Sequence, residues 1–391
     1  MTEQPESIVR RSRPPGSTSR PVTSALYPTV VFASADPDEL DAQYEGRLAG
    51  FTYAREGHPN AVALASTLGW LEGAEHPGVV TGSGMAAVAA TLLGLLEAGD
   101  HVLGADQLYG RSHRMLTDDL PRLGFQTSLA DPTDVGSIEA ALRPNTRALL
   151  VETVSNPTLR VADLDGIADL ATDRAILLVV DNTFTTPRAI RPLEHGADVV
   201  IHSVTKILAG HSDATLGFAA ARDADVQERL REAAVTWGLT PSPFDCWLAE
   251  RGLHTFELRY DRAESTAAAL ADALAASDAV EAVFYPGRAD HPDHDRARNL
   301  LGGRHGTMVG MRLKGGREIA NKFIRAAAPI PFAPTLGDVS TLLSHPASSS
   351  HRRLSADDRR AMGITEGFIR ISVGIEDPEI LIPSLLGALG N

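Results

Sequence analysis

The sequence predicts an α/β protein with a mostly parallel central sheet and a smaller C-terminal α+β domain. Three observations predict this. The central third holds short apolar runs without polar alternation, Ala148-Leu-Leu-Val-Glu-Thr, Ile176-Leu-Leu-Val-Val-Asp and Asp198-Val-Val-Ile-His-Ser, the pattern of strands buried on both faces. A helical segment from Asp163 to Thr172, with Asp163 as N-cap, separates the first two runs and implies right-handed crossovers in a parallel sheet. After Cys246 the texture changes to long helices followed by short strands.

Taken in order, residues 1–20 are rich in Pro, Ser, Arg and Gly without apolar periodicity and read as an arm or extended subunit contact. Residues 1–50 are assigned to this N-terminal segment, 51–245 to a large domain and 246–391 to the C-terminal domain. Helices are expected from Ala61 to Leu71, ended by Gly73, and from Met85 to Leu96 behind Gly82-Ser-Gly84. Trp247 to Ala275 reads as one long helix, and Thr307 to Leu313 and Phe368 to Val373 as strands.

The chain has 391 residues and a formal charge of −14, which argues against a nucleic-acid partner. Its longest apolar runs, Ala175 to Val180 and Val88 to Leu96, fall short of the roughly 20 residues that span a bilayer. Arg10, Arg11 and Arg13 lead into Pro14-Pro15-Gly16 rather than an apolar segment. The expectation is a soluble, cytoplasmic protein without membrane contact. The single cysteine, Cys246, sits between Phe244 and Trp247 and reads as a core thiol.

In such sheets ligands bind beyond the carboxyl ends of the strands. The polar residues there are Asn156, Asp181 and the group Ser203, Thr205 and Lys206. A lysine amine for an aldehyde, hydroxyls for a phosphate and a carboxylate for a pyridinium are what pyridoxal 5′-phosphate (PLP) requires. Glycines before a helix, in Thr81-Gly-Ser-Gly-Met85, add free amides and a helix dipole suited to the phosphate dianion.

With these motifs the chain resembles, over residues 20–390, the Cys/Met metabolism family of PLP enzymes, the trans-sulfuration group that includes cystathionine γ-synthase, cystathionine γ-lyase and methionine γ-lyase. The resemblance rests on Tyr53-Ala-Arg55 with Pro59, Ser83-Gly-Met85, Leu108-Tyr-Gly110, Ser155-Asn-Pro157, Asp181-Asn-Thr-Phe, Ser203-Val-Thr-Lys206, Tyr285-Pro-Gly with His291-Pro-Asp-His294, His345-Pro-Ala and Arg370-Ile-Ser-Val-Gly374. It implies the aspartate-aminotransferase-like fold of type I PLP enzymes, with PLP carried on Lys206. The Gly84 and Met85 amides and the Ser203 and Thr205 hydroxyls would hold the phosphate, reached also by Tyr53 and Arg55 from a neighbouring subunit. Tyr109 would stack on the ring and relay a proton, Asp181 would pair with the pyridine nitrogen, Asn156 would lie near the ring hydroxyl and substrate carboxylate, and Arg370 would bind that carboxylate. The shared site implies a homodimer at least, paired into a homotetramer, acting on a small amino acid.

The implied reaction is γ-elimination or γ-replacement on a sulfur amino acid or an O-acylhomoserine, with methionine γ-lyase or O-acylhomoserine sulfhydrylase as alternatives and a PLP aminotransferase as a remote one. Lys206 would give way to the substrate amine and then take the Cα proton. Thr52 and Ser340 stand where cystathionine-handling relatives often carry acids that engage a distal ammonium. Arg114 resembles the synthase and lyase branch, and Arg111, where methionine γ-lyases usually have cysteine, adds a second cation suited to a distal carboxylate. His58-Pro59-Asn60 replaces the common Asn-Pro-Thr. His291 and His294, in what reads as an exposed turn, are not taken as metal ligands.

Overall fold

The computed structural model describes residues 18–19 and 21–390. Most of the expected N-terminal arm lies outside them. Seven strands form the larger sheet: β1 (Val79–Thr81), β2 (His101–Ala105), β3 (Gln126–Ala130), β4 (Thr146–Glu152), β5 (Leu177–Asp181), β6 (Val199–His202) and β7 (Gly217–Ala221), in the order β1-β7-β6-β5-β4-β2-β3. The neighbours from β6 through β3 are parallel, whereas β7 is antiparallel to both β6 and β1. The three expected runs form β4, β5 and β6. Val179, Val180, Val199, Val200 and Ile201 are fully buried, because helices cover both faces of the sheet.

Helix Leu164–Arg174 joins β4 to β5, and the Asp163 side chain accepts from the Gly166 amide as its N-cap. Helix Pro59–Glu72 ends on Gly73, whose φ of 69° lies in the left-handed region that closes a helix. Its start explains one departure from the common motif. His58 is buried, its Nδ1 accepts from the Ala61 amide at 3.1 Å, and so it caps the helix. Asn60 then ties the preceding segment to this helix, accepting from the Tyr27 amide and donating to the Ala25 carbonyl.

Four antiparallel strands, β8 (Val280–Phe284), β9 (Met308–Leu313), β10 (Leu342–Ser344) and β11 (Phe368–Ser372), form a second sheet in the order β10-β11-β9-β8. Its core holds Val309, Met311, Leu343, Ile369 and Ile371, separate from that of the larger sheet. Cys246 is a fully buried thiol of the larger core.

Two expectations require correction. The single helix from Trp247 to Ala275 is two, Pro243–Leu253 and Phe256–Ala275, broken at His254 and Thr255. At the end of the first helix, Gly252 packs so tightly on Ala209 that a Cβ there would lie 2.2 Å from the Ala209 carbonyl oxygen. Arg259, one turn into the second helix, donates to the carbonyls of Ile207, Leu208 and Gly252. The turn at 291–294 is not exposed, since His291 is 5% and Asp293 7% accessible. Asp293 accepts from Arg160 Nε at 2.6 Å and from the Val161 amide at 3.0 Å, which fastens the segment to the larger domain. Among the described residues no three His, Cys, Asp or Glu side chains are placed to share a metal ion.

Candidate active site

A cavity of about 240 Å³ opens at the carboxyl ends of β4, β5 and β6, between the two sheets. Lys206, Asp181, Ser203, Thr205, Gly84, Met85, Tyr109, Asn156 and Arg370 all line it. These residues are up to 286 positions apart along the chain (370 − 84). The crossover topology delivers them to one rim, as expected for a parallel sheet.

Lys206 follows β6 in a turn whose backbone is fixed by bonds from the Lys206 amide to the Ser203 carbonyl and from the Gly210 amide to the Lys206 carbonyl. Gly210 has a φ of 76°, and a Cβ there would meet Arg259 Nη1 at 1.9 Å. Arg259 thereby holds the lysine turn from behind. Lys206 Nζ donates to Thr335 Oγ1 at 3.0 Å, and burial, with a smaller contribution from the Arg370 charge, lowers its pKa to about 8. A lysine so tuned is neutral in part at physiological pH and hence a nucleophile.

Asp181 ends β5, where its Oδ1 accepts from the Thr183 amide at 3.0 Å and the Thr183 hydroxyl at 2.5 Å. Thr183 Oγ1 in turn accepts from the Ser203 amide at 2.8 Å, linking the carboxylate to the lysine segment. Burial raises the Asp181 pKa, against which the two Thr183 bonds and the charge of His202 act. A cation inside the cavity suits such a carboxylate. Behind it, the buried His202 and Glu72 are hydrogen-bonded, and Asn182 Nδ2 donates to the same Glu72 oxygen at 3.2 Å.

Helix Gly84–Leu95 points its N-terminus into the cavity, capped by Ser83, whose side chain accepts from the Ala86 amide at 3.1 Å. The first amides of a helix have no intrahelical partner. A Cβ on Gly84 would lie 2.7 Å from Ser203 Cβ and 2.9 Å from its Oγ. This leaves a cradle of amides and hydroxyls matched to a phosphate. Gly84→Ala is therefore expected to weaken PLP binding about 10-fold or more while leaving the apoprotein folded, measured by cofactor titration and thermal unfolding.

Arg370 lies on β11, paired on both sides by β10 and β9, and is 4% exposed, so it is not an edge-strand charge. Its Nη1 donates to Asn156 Oδ1 at 2.7 Å and its Nη2 to the Thr335 carbonyl at 2.9 Å. Its buried Nε has no hydrogen-bond partner among the described residues. Burial lowers its pKa to about 10, so it stays cationic at neutral pH. The buried guanidinium is oriented and retains a donor for an incoming carboxylate.

The cavity also holds residues that sequence reasoning missed. Glu152 ends β4 in register with Asp181, is 7% exposed and lines the cavity. Thr183 and Thr335 hold Asp181 and Lys206 as described. The available signal was an acidic residue closing an apolar run, the feature that singled out Asp181. Other expected residues lie elsewhere. Ser340 does not line the cavity; its amide donates to Asp338. Tyr53, 41% exposed, and Arg55, paired with Glu56 at 3.1 Å, lie outside their own chain's cavity. Arg111 and Arg114 line an adjoining cavity of about 460 Å³, which shares Tyr109, Pro334, Ser349 and Ser350 with the first.

The model of the Cys/Met metabolism PLP-dependent enzymes matches residues 7–390. The chain belongs to this family. The lysine turn, the carboxylates and the phosphate cradle thus fit the cofactor on which the family depends. Cystathionine β-lyase MetC of Bacillus subtilis is 38% identical over 331 residues, covering 85% of this chain and 84% of that protein. Cystathionine γ-lyase of the same organism is 38% identical over 346 residues, covering 88% and 90%. The solved structure of cystathionine γ-synthase from Xanthomonas oryzae in complex with cystathionine superposes with a TM-score of 0.89 at 36% identity, covering 94% of this chain and 93% of that one. The chain is thus a PLP-dependent enzyme of the trans-sulfuration family. Among the described residues no helix is long and apolar enough to cross a membrane.

Proposed function

We propose that the enzyme catalyses γ-elimination or γ-replacement on an amino acid whose γ-substituent carries a distal carboxylate, with O-succinylhomoserine and cystathionine as the fitting substrates and methionine as the poor one. The cavity beside the active site carries this reading. Arg111, Arg114, Arg352 and Arg353 line it against a single acid, Asp118. Arg114 Nε lies 3.8 Å from Asp118 and 3.5 Å from Asp119, and Arg111, Arg352 and Arg353 form no ion pair with a described residue. A distal carboxylate reaching past Tyr109 meets this excess positive charge. Methionine has no group to place there.

The positions of the cavity residues support the following roles. Arg370 and Asn156 hold the substrate carboxylate, and Lys206 Nζ takes and returns the Cα proton, its lowered pKa leaving a neutral amine available near neutral pH. When bound, PLP supplies an electron-withdrawing ring that stabilises negative charge at Cα. Asp181 would stabilise a positive charge on that ring, and Tyr109 forms one wall of the cavity. Ser203, Thr205, Gly84 and Met85 receive the phosphate. Tyr53 and Arg55 serve the site of a neighbouring subunit, which makes the enzyme a homodimer at least, paired into a homotetramer. Exposed Val30 and Val31, whose backbone pairs with Ala54 and Tyr53, support such a contact. The buried free thiol of Cys246 is compatible with the cytoplasm.

The test is keto acid release from cystathionine, methionine or O-succinylhomoserine supplied alone, and consumption of O-succinylhomoserine once a thiol is added. Arg114→Ala is expected to lower kcat/KM about 10-fold for the two substrates with a distal carboxylate and less than about 2-fold for methionine. Equal losses on all three, or methionine as the preferred substrate, would refute the reading.

A further inference from the structure

Glu152 brings a second carboxylate into the cavity beside Asp181, and neither is paired with a described cation. Its Oε1 accepts from the Tyr109 amide at 2.5 Å, and its Oε2 accepts from the Asn156 amide at 3.2 Å. Asn156 passes the constraint on, since its Oδ1 accepts from Arg370 Nη1 at 2.7 Å. One side chain thereby spans the residue that walls the cavity and the residue that orients the guanidinium. Burial first, and Asp181 second, push the Glu152 pKa well up, while the two amide bonds act the other way. A carboxylate maintained in so unfavourable a place needs a compensating function.

We infer that Glu152 is a positioning residue that, by gripping the Tyr109 and Asn156 amides with its two oxygens, sets the separation between the aromatic wall and Arg370. Only a side chain with two acceptor oxygens and this reach satisfies both amides. Glutamine turns an NH2 group toward one of the two N–H donors, and aspartate is one methylene too short to reach both. The inference rests on this cavity being the family's PLP site and is independent of the identity of the γ-substituent.

The test compares Glu152→Gln and Glu152→Asp as holoenzymes with the parent. The first readout is the Tyr109 amide proton, followed by selective ¹⁵N-tyrosine labelling; the chain has 6 tyrosines, and Tyr109→Phe identifies the signal. A short bond to a carboxylate moves that proton downfield, and the expected result is an upfield shift in Glu152→Gln. The second readout is steady-state kinetics on whichever amino acid the enzyme turns over. Here kcat/KM is expected to fall about 10- to 100-fold with a raised KM, at unchanged cofactor occupancy. An unmoved Tyr109 amide in both variants, or a loss of activity that only parallels loss of cofactor or of thermal stability with KM unchanged, overturns the inference. Should Glu152→Gln fail to fold, Glu152→Asp decides, because it retains the charge. The amide signal requires no substrate, so it reads Glu152 even where the proposed substrate class proves wrong.

Discussion

Replacing Lys206 by alanine is expected to abolish keto acid release, with a loss of at least about 1000-fold, and to end covalent attachment of the cofactor. The amine is 3.0 Å from Thr335 Oγ1 at the floor of the cavity, and no second lysine lines that space. Borohydride reduction followed by peptide mapping distinguishes a chemical from a structural defect: the parent is expected to retain the cofactor on the peptide containing Lys206, and Lys206→Ala to retain it on none. Residual turnover above that bound would assign the base elsewhere. The pKa adds a second consequence. Burial holds Lys206 near 8 in the fold, against 10.5 for the free side chain. Between those values the unfolded chain binds a proton that the folded chain does not, so this residue makes cofactor-free protein more stable as pH rises through that interval. The pH dependence of the apoprotein midpoint is expected to flatten there in Lys206→Met.

Arg370→Ala is expected to lower kcat/KM about 100- to 1000-fold, mainly through KM. The variant removes the cation and also leaves Asn156 Oδ1 and the Thr335 carbonyl without their donor, at 2.7 and 2.9 Å respectively. Arg370→Lys is expected to recover little. A single ammonium cannot donate to both acceptors while presenting a further N–H to the substrate in the guanidinium plane. An amine lacking the α-carboxylate separates the roles: its slow processing is expected to be equal in parent and variant. Unequal rates on that amine would show that Arg370 acts on the chemistry rather than on carboxylate binding.

The legible part of the site is the part that strand ends carry. Asp181 and the Ser203 to Lys206 turn follow directly on apolar runs, and the sheet's topology sends every such terminus to one rim, so reading the runs was enough to gather them. Glu152 follows the same rule, but it is followed by Thr153 and Val154 and so does not mark the end of its run as plainly as Asp181 does. The Gly84 cradle was visible as a glycine turn before a helix, although only packing reveals that Ser203 leaves no room for a Cβ at that position. His58 shows a motif departure whose local meaning is plain once seen: another side-chain acceptor occupies the cap, and the helix begins as before.

The sequence by itself determined the α/β class, the buried parallel strands, the cofactor and the residues at the strand ends, because burial on two faces, helix starts and the needs of PLP all leave their mark within a few neighbouring positions. Tertiary structure alone decided the rest. It packed Gly252 against Ala209, buried His291 and Asp293 against Arg160, set Arg370 of the second sheet on Asn156 in the loop after β4, and left Ser340 outside the cavity. Each of these depends on a contact between segments distant in the chain, and such contacts are fixed by how the two sheets pack rather than by any pattern their neighbours carry.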